Sequence, residues 1–205
     1  MKGRNIYSPV TSLLMLFLLS ASVMLSTIFY QYDKALVIAF NAQRNPTADL
    51  FWLNITNSAG WVAYGTVGIA LICLIFVKAR KIDYLAIVLA GAISGGLATL
   101  IKYGVARIRP FHLFTSIHEL GPGGGWSYPS GHTCDAFFLA TIITIVFRKQ
   151  TWLIVVVYCW AVLVGISRVY LGAHYPSDVL AGIAVGSTSS MTAWWLSRKI
   201  MKISE

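Results

Sequence analysis

Six apolar runs divide this chain, and nothing else in the sequence limits its fold so strongly. They cover roughly Ser12–Tyr30, Gly60–Val77, Tyr84–Leu100, Thr133–Phe147, Trp152–Ile166 and Val179–Leu196. A helix needs about 17–25 apolar residues to cross the hydrocarbon core of a bilayer. The fourth and fifth runs, at about 15 residues, fall short of that length and predict ends that lie within protein rather than lipid. Of the 205 residues, 57% are hydrophobic and only 11% charged, where soluble domains carry about 25% charged residues. The stretches between the runs are too short for a second domain. The sequence therefore predicts one domain over residues 1–205, an all-α integral membrane bundle of six transmembrane helices.

A net charge of +9 raises the question of nucleic acid, and the positions of the charges answer it. If the six helices alternate in direction, Lys2, Arg4, Lys78, Arg80, Lys81, Arg148, Lys149, Arg198, Lys199 and Lys202 all fall on one side. Cytoplasmic loops are rich in Lys and Arg, so that side is expected to be cytoplasmic, with both termini. The basic balance then reports topology, and no nucleic-acid partner is expected. Lys34, Arg44, Lys102, Arg107, Arg109 and Arg168 fall on the opposite side, as do His112, His118, His132 and His174. The first run exceeds the core of about 7–15 residues typical of a signal peptide, and no small-x-small cleavage site follows it. It is expected to remain as a membrane helix.

Between the first two runs, Gln31–Ala59 is amphiphilic and interrupted by Pro46, a pattern expected for short helices lying in the interface. Asn54-Ile55-Thr56 matches a glycosylation sequon, a pattern too short to carry weight. The short basic turn around Lys78–Asp83 predicts an antiparallel hairpin of the second and third helices. Gly91 and Gly95 in the third helix, and Gly182 and Gly186 in the sixth, have the four-residue spacing that lets membrane helices approach closely. Gly121-Pro122-Gly123-Gly124-Gly125 cannot hold a helix and reads either as a flexible connector or as a lid or headgroup contact. Cys73, Cys134 and Cys159 show neither disulfide nor zinc spacing.

Chemistry concentrates in three polar segments at the ends of apolar runs. In the first, residues 102–110, Lys102 and Arg109 are seven positions apart. On a continuous helix they would share one face and converge on an anion, with Arg107 pointing away. Arg offers a two-pronged guanidinium and Lys a point charge. In the second, Pro129-Ser130-Gly131-His132 leads into an apolar helix. A helix N-terminus presents free N–H groups and positive dipole to an anion, Ser130 adds a hydroxyl, Gly131 permits close backbone approach, and His132 is placed to give a proton to a leaving oxygen. In the third, residues 167–178, Ser167-Arg168 is followed by His174 and Asp178. A carboxylate near a histidine orients it and stabilises the imidazolium. Charged groups near a bilayer are costly, and such residues usually serve a function.

These three segments together resemble the signature of the phosphatidic acid phosphatase type 2 superfamily. The first part matches as Lys102, six residues, Arg109-Pro110, and the second as Pro129-Ser130-Gly131-His132. The third matches as Ser167-Arg168, five residues, His174, three residues, Asp178. The resemblance implies that His174 attacks phosphorus to form a phosphohistidine, oriented by Asp178, while His132 protonates the leaving group. It implies that Lys102, Arg109, Ser130, Gly131 and Arg168 hold the phosphoryl oxygens. No metal or other cofactor is expected, since three cations can supply the charge stabilisation a metal would give.

The expected activity is metal-independent hydrolysis of a lipid phosphate or diphosphate taken from the outer leaflet. The expected location is a bacterial inner (plasma) membrane, with the site facing the periplasm or exterior. Undecaprenyl diphosphate, phosphatidylglycerol phosphate, phosphatidic acid and a lipid A phosphate all remain open as substrates. Two other classes compete. Vanadate-dependent haloperoxidases share the pocket chemistry but are soluble, and a non-catalytic transporter or scaffold would not need the histidine pair.

Overall fold

A computed structural model describes residues 30–76, 80–121 and 123–203, with Ser20, Met24 and Ile28 isolated before them. The expected first membrane helix, Ser12–Tyr30, lies mostly outside the described residues. Seven helices follow in order: α1 (Tyr30–Asn41), α2 (Pro46–Phe76), α3 (Lys81–Val105), the single turn α4 (Pro110–Leu113), α5 (Gly131–Val146), α6 (Thr151–Tyr170) and α7 (Pro176–Ile203). The all-helical expectation holds for this part of the chain, and the five later apolar runs fall on α2, α3, α5, α6 and α7. By length and composition, two of the described stretches, Lys81–Leu113 and Thr151–Tyr170, suffice to cross a membrane.

The segment expected to form short helices does so only in its first half. α1 is short, exposing Leu36 and Phe40 while burying Asp33 and Val37. Beyond it, Pro46 opens a helix of 31 residues that runs on into the second apolar stretch. Pro is favoured at the first helical position, and the Asn45 side chain caps that end by accepting the Ala48 N–H at 2.9 Å.

α5 is the central helix. Ten of its residues are buried, from Thr133 to Ile145, and it is covered by α7, α6, α3 and α2. Its length of 16 residues therefore needs no lipid contact along its whole span, as expected of a short run. The fifth run differs. α6 continues through Ser167 and Arg168 to Tyr170, reaching 20 residues, and exposes Trp152, Val155, Val156 and Val162.

The main packing is α7 against α5 and α3. A Cβ at Gly186 would lie 2.3 Å from the Cys134 carbonyl oxygen, and one at Gly182 2.8 Å from that of Ser130. Only glycine lets α7 come this close to α5. Ser190 adds an interhelical hydrogen bond, its Oγ donating to the Phe138 carbonyl at 2.7 Å. Gly91 and Gly95 do not play the same part, because a Cβ at Gly91 would meet only Phe138 at 3.9 Å and one at Gly95 nothing. The expected α2–α3 hairpin is also weak: α3 packs chiefly on α7 and α5, and α2 on α6 and α5. The small-residue surfaces draw α3 to those neighbours, with Ala86, Ala90 and Ala193 completely buried in one cluster.

Candidate active site

The three signature segments meet where the C-terminal ends of α3 and α6 face the N-terminal ends of α5 and α7. α3 does not extend through Arg109. Ala106 adopts a left-handed conformation, φ 48°, and its N–H closes the helix on the Lys102 carbonyl. The residue before a proline avoids helical geometry, and Arg109 is extended accordingly, at φ −72° and ψ 152°. Convergence of Lys102 and Arg109 thus comes from a sharp turn and not from a shared helical face.

Lys102 Nζ donates to the Trp126 and Pro129 carbonyls, each at 2.9 Å, which ties it to the start of the Ser130 segment. Arg109 is almost wholly buried. Its Nε and Nη2 donate to the Gly125 and Gly124 carbonyls at 3.0 and 2.6 Å. Its Nη1 reaches the Ala173 carbonyl at 3.1 Å and His174 Nε2 at 3.2 Å. The glycine-rich loop therefore acts as a carbonyl cradle for Arg109, and Gly125 needs its left-handed φ of 64° to present that backbone.

Ser130 is the N-cap of α5. It is fully buried, and its Oγ accepts from Thr133 Oγ1 at 2.9 Å. Its backbone N–H donates to the Asp178 carbonyl at 3.0 Å, joining the second segment to the third. No protein atom lies within 4 Å of a Cβ built at Gly131, so internal packing does not demand glycine there. His132, half-buried in the first turn of α5, sits within electrostatic reach of Arg168, Arg109 and Lys102.

In the third segment, the Arg168 carbonyl accepts from the N–H groups of both Ala173 and His174 at 3.1 Å. This turn requires Gly172, whose φ is +68° and where a Cβ would lie 2.4 Å from Ile117. The Arg168 side chain is fully buried, with Nη1 donating to Thr56 Oγ1 at 2.7 Å. His174 Nδ1 lies 3.4 Å from Asp178 Oδ2 and 3.4 Å from Ser127 Oγ. Asp178 Oδ2 also accepts from Ser127 Oγ and from the Tyr175 N–H. Burial lowers the His174 pKa to about 3, helped by Arg168 and Arg109 and opposed by Asp178. The imidazole is therefore neutral.

All eight predicted site residues lie on these meeting segments, and direct contacts join several of them. Arg107 contradicts its expected direction. Ala106 ends the helix, and the side chains of both Arg107 and Arg109 reach the third segment, at Asp178 and His174. Arg107 Nη1 donates to Asp178 Oδ1 at 2.7 Å. Sequence reasoning also missed Asp33, Thr56, Ser127 and Asn41. Asn41 stitches α1 to the site's border through the Tyr170 and His118 carbonyls, at 2.9 and 3.2 Å. Asp33 had a readable signal, since an acidic residue in an amphiphilic segment outside every motif calls for a partner.

Residues 83–202 match the PAP2 superfamily, more than half of the chain, and the protein belongs to that family. It is 28% identical over 176 residues to a lipid A 4'-phosphatase of Bacteroides thetaiotaomicron, covering 82% of this chain and 78% of that protein. It is 36% identical over 126 residues to an undecaprenyl-diphosphatase of Sulfolobus acidocaldarius, covering 60% of this chain and 59% of the other. The solved transmembrane PAP2 type phosphatidylglycerolphosphate phosphatase of Bacillus subtilis has the same fold, with a TM-score of 0.74, 24% identity and 98% coverage of both chains. The chain is accordingly a phosphoric ester hydrolase of the lipid phosphatase kind.

Proposed function

We propose that this protein removes phosphate from a lipid phosphate or diphosphate by way of a phosphohistidine on His174. One observation carries the reading: Asp178 backs Nδ1 of His174, while Nε2 faces Arg109 at 3.2 Å. A guanidinium has no acceptor, so Nε2 holds a lone pair and Nδ1 holds the proton. The nucleophile is thus prepared on the atom beside the anion-binding cations.

In the first step the Nε2 lone pair attacks phosphorus and the bond to the lipid oxygen, or to the bridging oxygen of a diphosphate, breaks. His132 gives its proton to that oxygen. Lys102, Arg109 and Arg168, with Ser130 and the Gly131 N–H, hold the phosphoryl oxygens. Donors fixed in place before charge develops are worth far more than mobile water. The open space beside Gly131, where a Cβ would meet no neighbouring group within 4 Å, leaves room for the phosphate. In the second step, water attacks the phosphohistidine, neutral His132 takes the water's proton, and the P–N bond breaks to restore His174.

The reading includes a six-span bundle with the site at the outer membrane surface, supported by the ten cations expected on the opposite face. It includes hydrolysis without a divalent metal, because the cations supply the needed positive charge. The relatives' substrates share one chemistry, a phosphate on a long-chain lipid, and the short loops contain no separate headgroup module.

The test uses the purified full chain in detergent with EDTA present. Lipid A, undecaprenyl diphosphate, phosphatidylglycerol phosphate and phosphatidic acid are supplied, and released phosphate is measured. Release from at least one of them is expected. Activity that appears only on adding magnesium would remove the metal-free mechanism, and no release from any lipid under either condition would remove the functional reading.

A further inference from the structure

The connection from α3 to α4 carries an arginine that the phosphate chemistry above does not use. Arg107 Nη1 donates to Asp178 Oδ1 and to Ser177 Oγ, each at 2.7 Å, while Nη2 donates to Asp33 Oδ2 at 2.8 Å. Its guanidinium lies 3.9 Å from the centre of the Tyr175 ring. Asp33 also accepts from the Ser177 N–H at 3.0 Å and from Ser177 Oγ. Both Asp33 and Asp178 are buried. Arg107 is thus clamped between two carboxylates, one from peripheral α1 and one from the first turn of α7.

Division of labour on Asp178 gives this clamp its significance. Oδ1 goes to Arg107, and Oδ2 goes to His174, Ser127 and the Tyr175 N–H. Holding Oδ1 fixes the plane of the carboxylate and therefore the direction in which Oδ2 faces Nδ1. Charge points the same way. Asp178 with Arg107 alone sums to zero. Adding Asp33 makes the trio −1, which favours positive charge at the Nδ1 side of His174 against the opposing effect of Arg109 and Arg168. Buried charge without compensation is expensive.

We propose that Asp33 and Arg107 are positioning residues for the nucleophile: Arg107 orients the Asp178 carboxylate against His174, and Asp33 anchors Arg107 and favours positive charge at the Nδ1 side of His174. Neither touches the phosphate. Helix α1, remote from every signature segment in sequence, is in this way part of the catalytic apparatus. The kinetic consequence rests on the phosphohistidine reading, whereas the effect on the imidazole does not.

Arg107→Gln, Arg107→Lys and Asp33→Asn, each in the full chain in detergent, test the proposal. Steady-state kinetics, inhibition by inorganic phosphate and nitrogen-15 spectra of labelled histidine are recorded, with His174 assigned by comparison with His174→Gln. Arg107→Gln should lower kcat by roughly 10²-fold, the loss typical of a small misplacement of reacting groups. Its inhibition constant for phosphate should stay within about twofold of wild type, because ground-state anion binding is untouched. Arg107→Lys should recover part of kcat, since one ammonium cannot bridge both carboxylates as the guanidinium fork does. Asp33→Asn, nearly isosteric, should lower kcat by about tenfold, less because it acts through Arg107.

In the spectra, wild-type His174 should carry its proton on Nδ1, and both Asp33→Asn and Arg107→Gln should keep that tautomer, which Arg109 sets, while moving the Nδ1 shift as the contact with Asp178 changes. A phosphate inhibition constant that rises in step with the kcat loss would overturn the proposal, because Arg107 would then be holding phosphate. Should Arg107→Gln fail to fold, Asp33→Asn decides alone, and wild-type kcat with an unmoved Nδ1 shift would overturn it. If wild-type protein hydrolyses no ester, the functional reading fails by itself, and the Nδ1 shift in Asp33→Asn still decides the positioning role.

Discussion

Arg109 Nη1 lies 3.2 Å from His174 Nε2, and this contact assigns the protons of the imidazole, because a guanidinium only donates. The same arginine is held by three backbone carbonyls, at Gly124, Gly125 and Ala173. Its position is therefore set before any phosphate arrives, which is what an electrostatic stabiliser requires. Arg109→Lys keeps the charge but loses the fork that satisfies these partners. It should lower kcat/KM by about 10²–10³-fold, the loss seen when one preorganised donor is removed. Wild-type kcat/KM in Arg109→Lys would show that the fork is not used.

Protein stability should fall with acidification in a way that depends on His174. Its folded pKa is lowered to about 3 from an ordinary 6.5, by burial first and then by Arg168 and Arg109. Between those values the unfolded chain binds a proton that the folded chain refuses. By linkage, the contribution of neutral His174 is complete above 6.5 and is lost as pH falls toward 3. Tm in detergent should drop over that window, and His174→Gln should flatten part of the slope. Identical slopes for the two proteins would mean that His174 titrates normally.

Two glycines of the same apparent motif should respond in opposite ways. Gly186→Ala drives a methyl to 2.3 Å from the Cys134 carbonyl oxygen, forcing α7 away from α5. Overpacking of this kind costs about 1–3 kcal/mol. Gly95→Ala meets nothing within 4 Å and replaces a poor helix former with a good one. Melting in detergent should show Gly186→Ala lowered and Gly95→Ala unchanged or raised. Equal losses would contradict the packing described.

The signature residues were legible because their spacing is local: Ser130, Gly131 and His132 are consecutive, and His174 precedes Asp178 by four positions. Arg107 was misjudged for a physical reason. Nothing in the letters marks Ala106 as a left-handed residue, since alanine is the best helix former and rarely adopts positive φ. A reading that carries the helix through Arg109 must send Arg107 to the wrong side. Asp33, Asn41 and Thr56 reach the site only through tertiary contacts spanning 112 residues from Thr56 to Arg168 and 144 from Asp33 to Ser177. Periodicity cannot encode such separations. The contrast between Gly95 and Gly186 was hidden likewise, because spacing reports a small-residue stripe and not which neighbour it meets.

The two histidines should fail at different steps, and this separates their proposed roles. Neutral His174, with its lone pair on Nε2, must attack phosphorus, so His174→Ala should form no covalent intermediate. His132, at the N-terminal turn of α5, must hand a proton to the departing oxygen, a contribution of about 10²–10⁴-fold for a placed general acid. His132→Ala should therefore lose kcat severely with lipid substrates while keeping most of its affinity for phosphate. p-Nitrophenolate leaves well without a proton, so p-nitrophenyl phosphate should partly rescue His132→Ala and should not rescue His174→Ala. Rapid quenching into alkali with labelled substrate, which preserves an acid-labile phosphoenzyme, supplies the direct measurement: phosphoenzyme should form in wild type, form from p-nitrophenyl phosphate in His132→Ala, and be absent from His174→Ala with every substrate. Phosphoenzyme undiminished in His174→Ala would place the nucleophile elsewhere. Equal losses with both leaving groups in His132→Ala would take the proton-donor role from that residue.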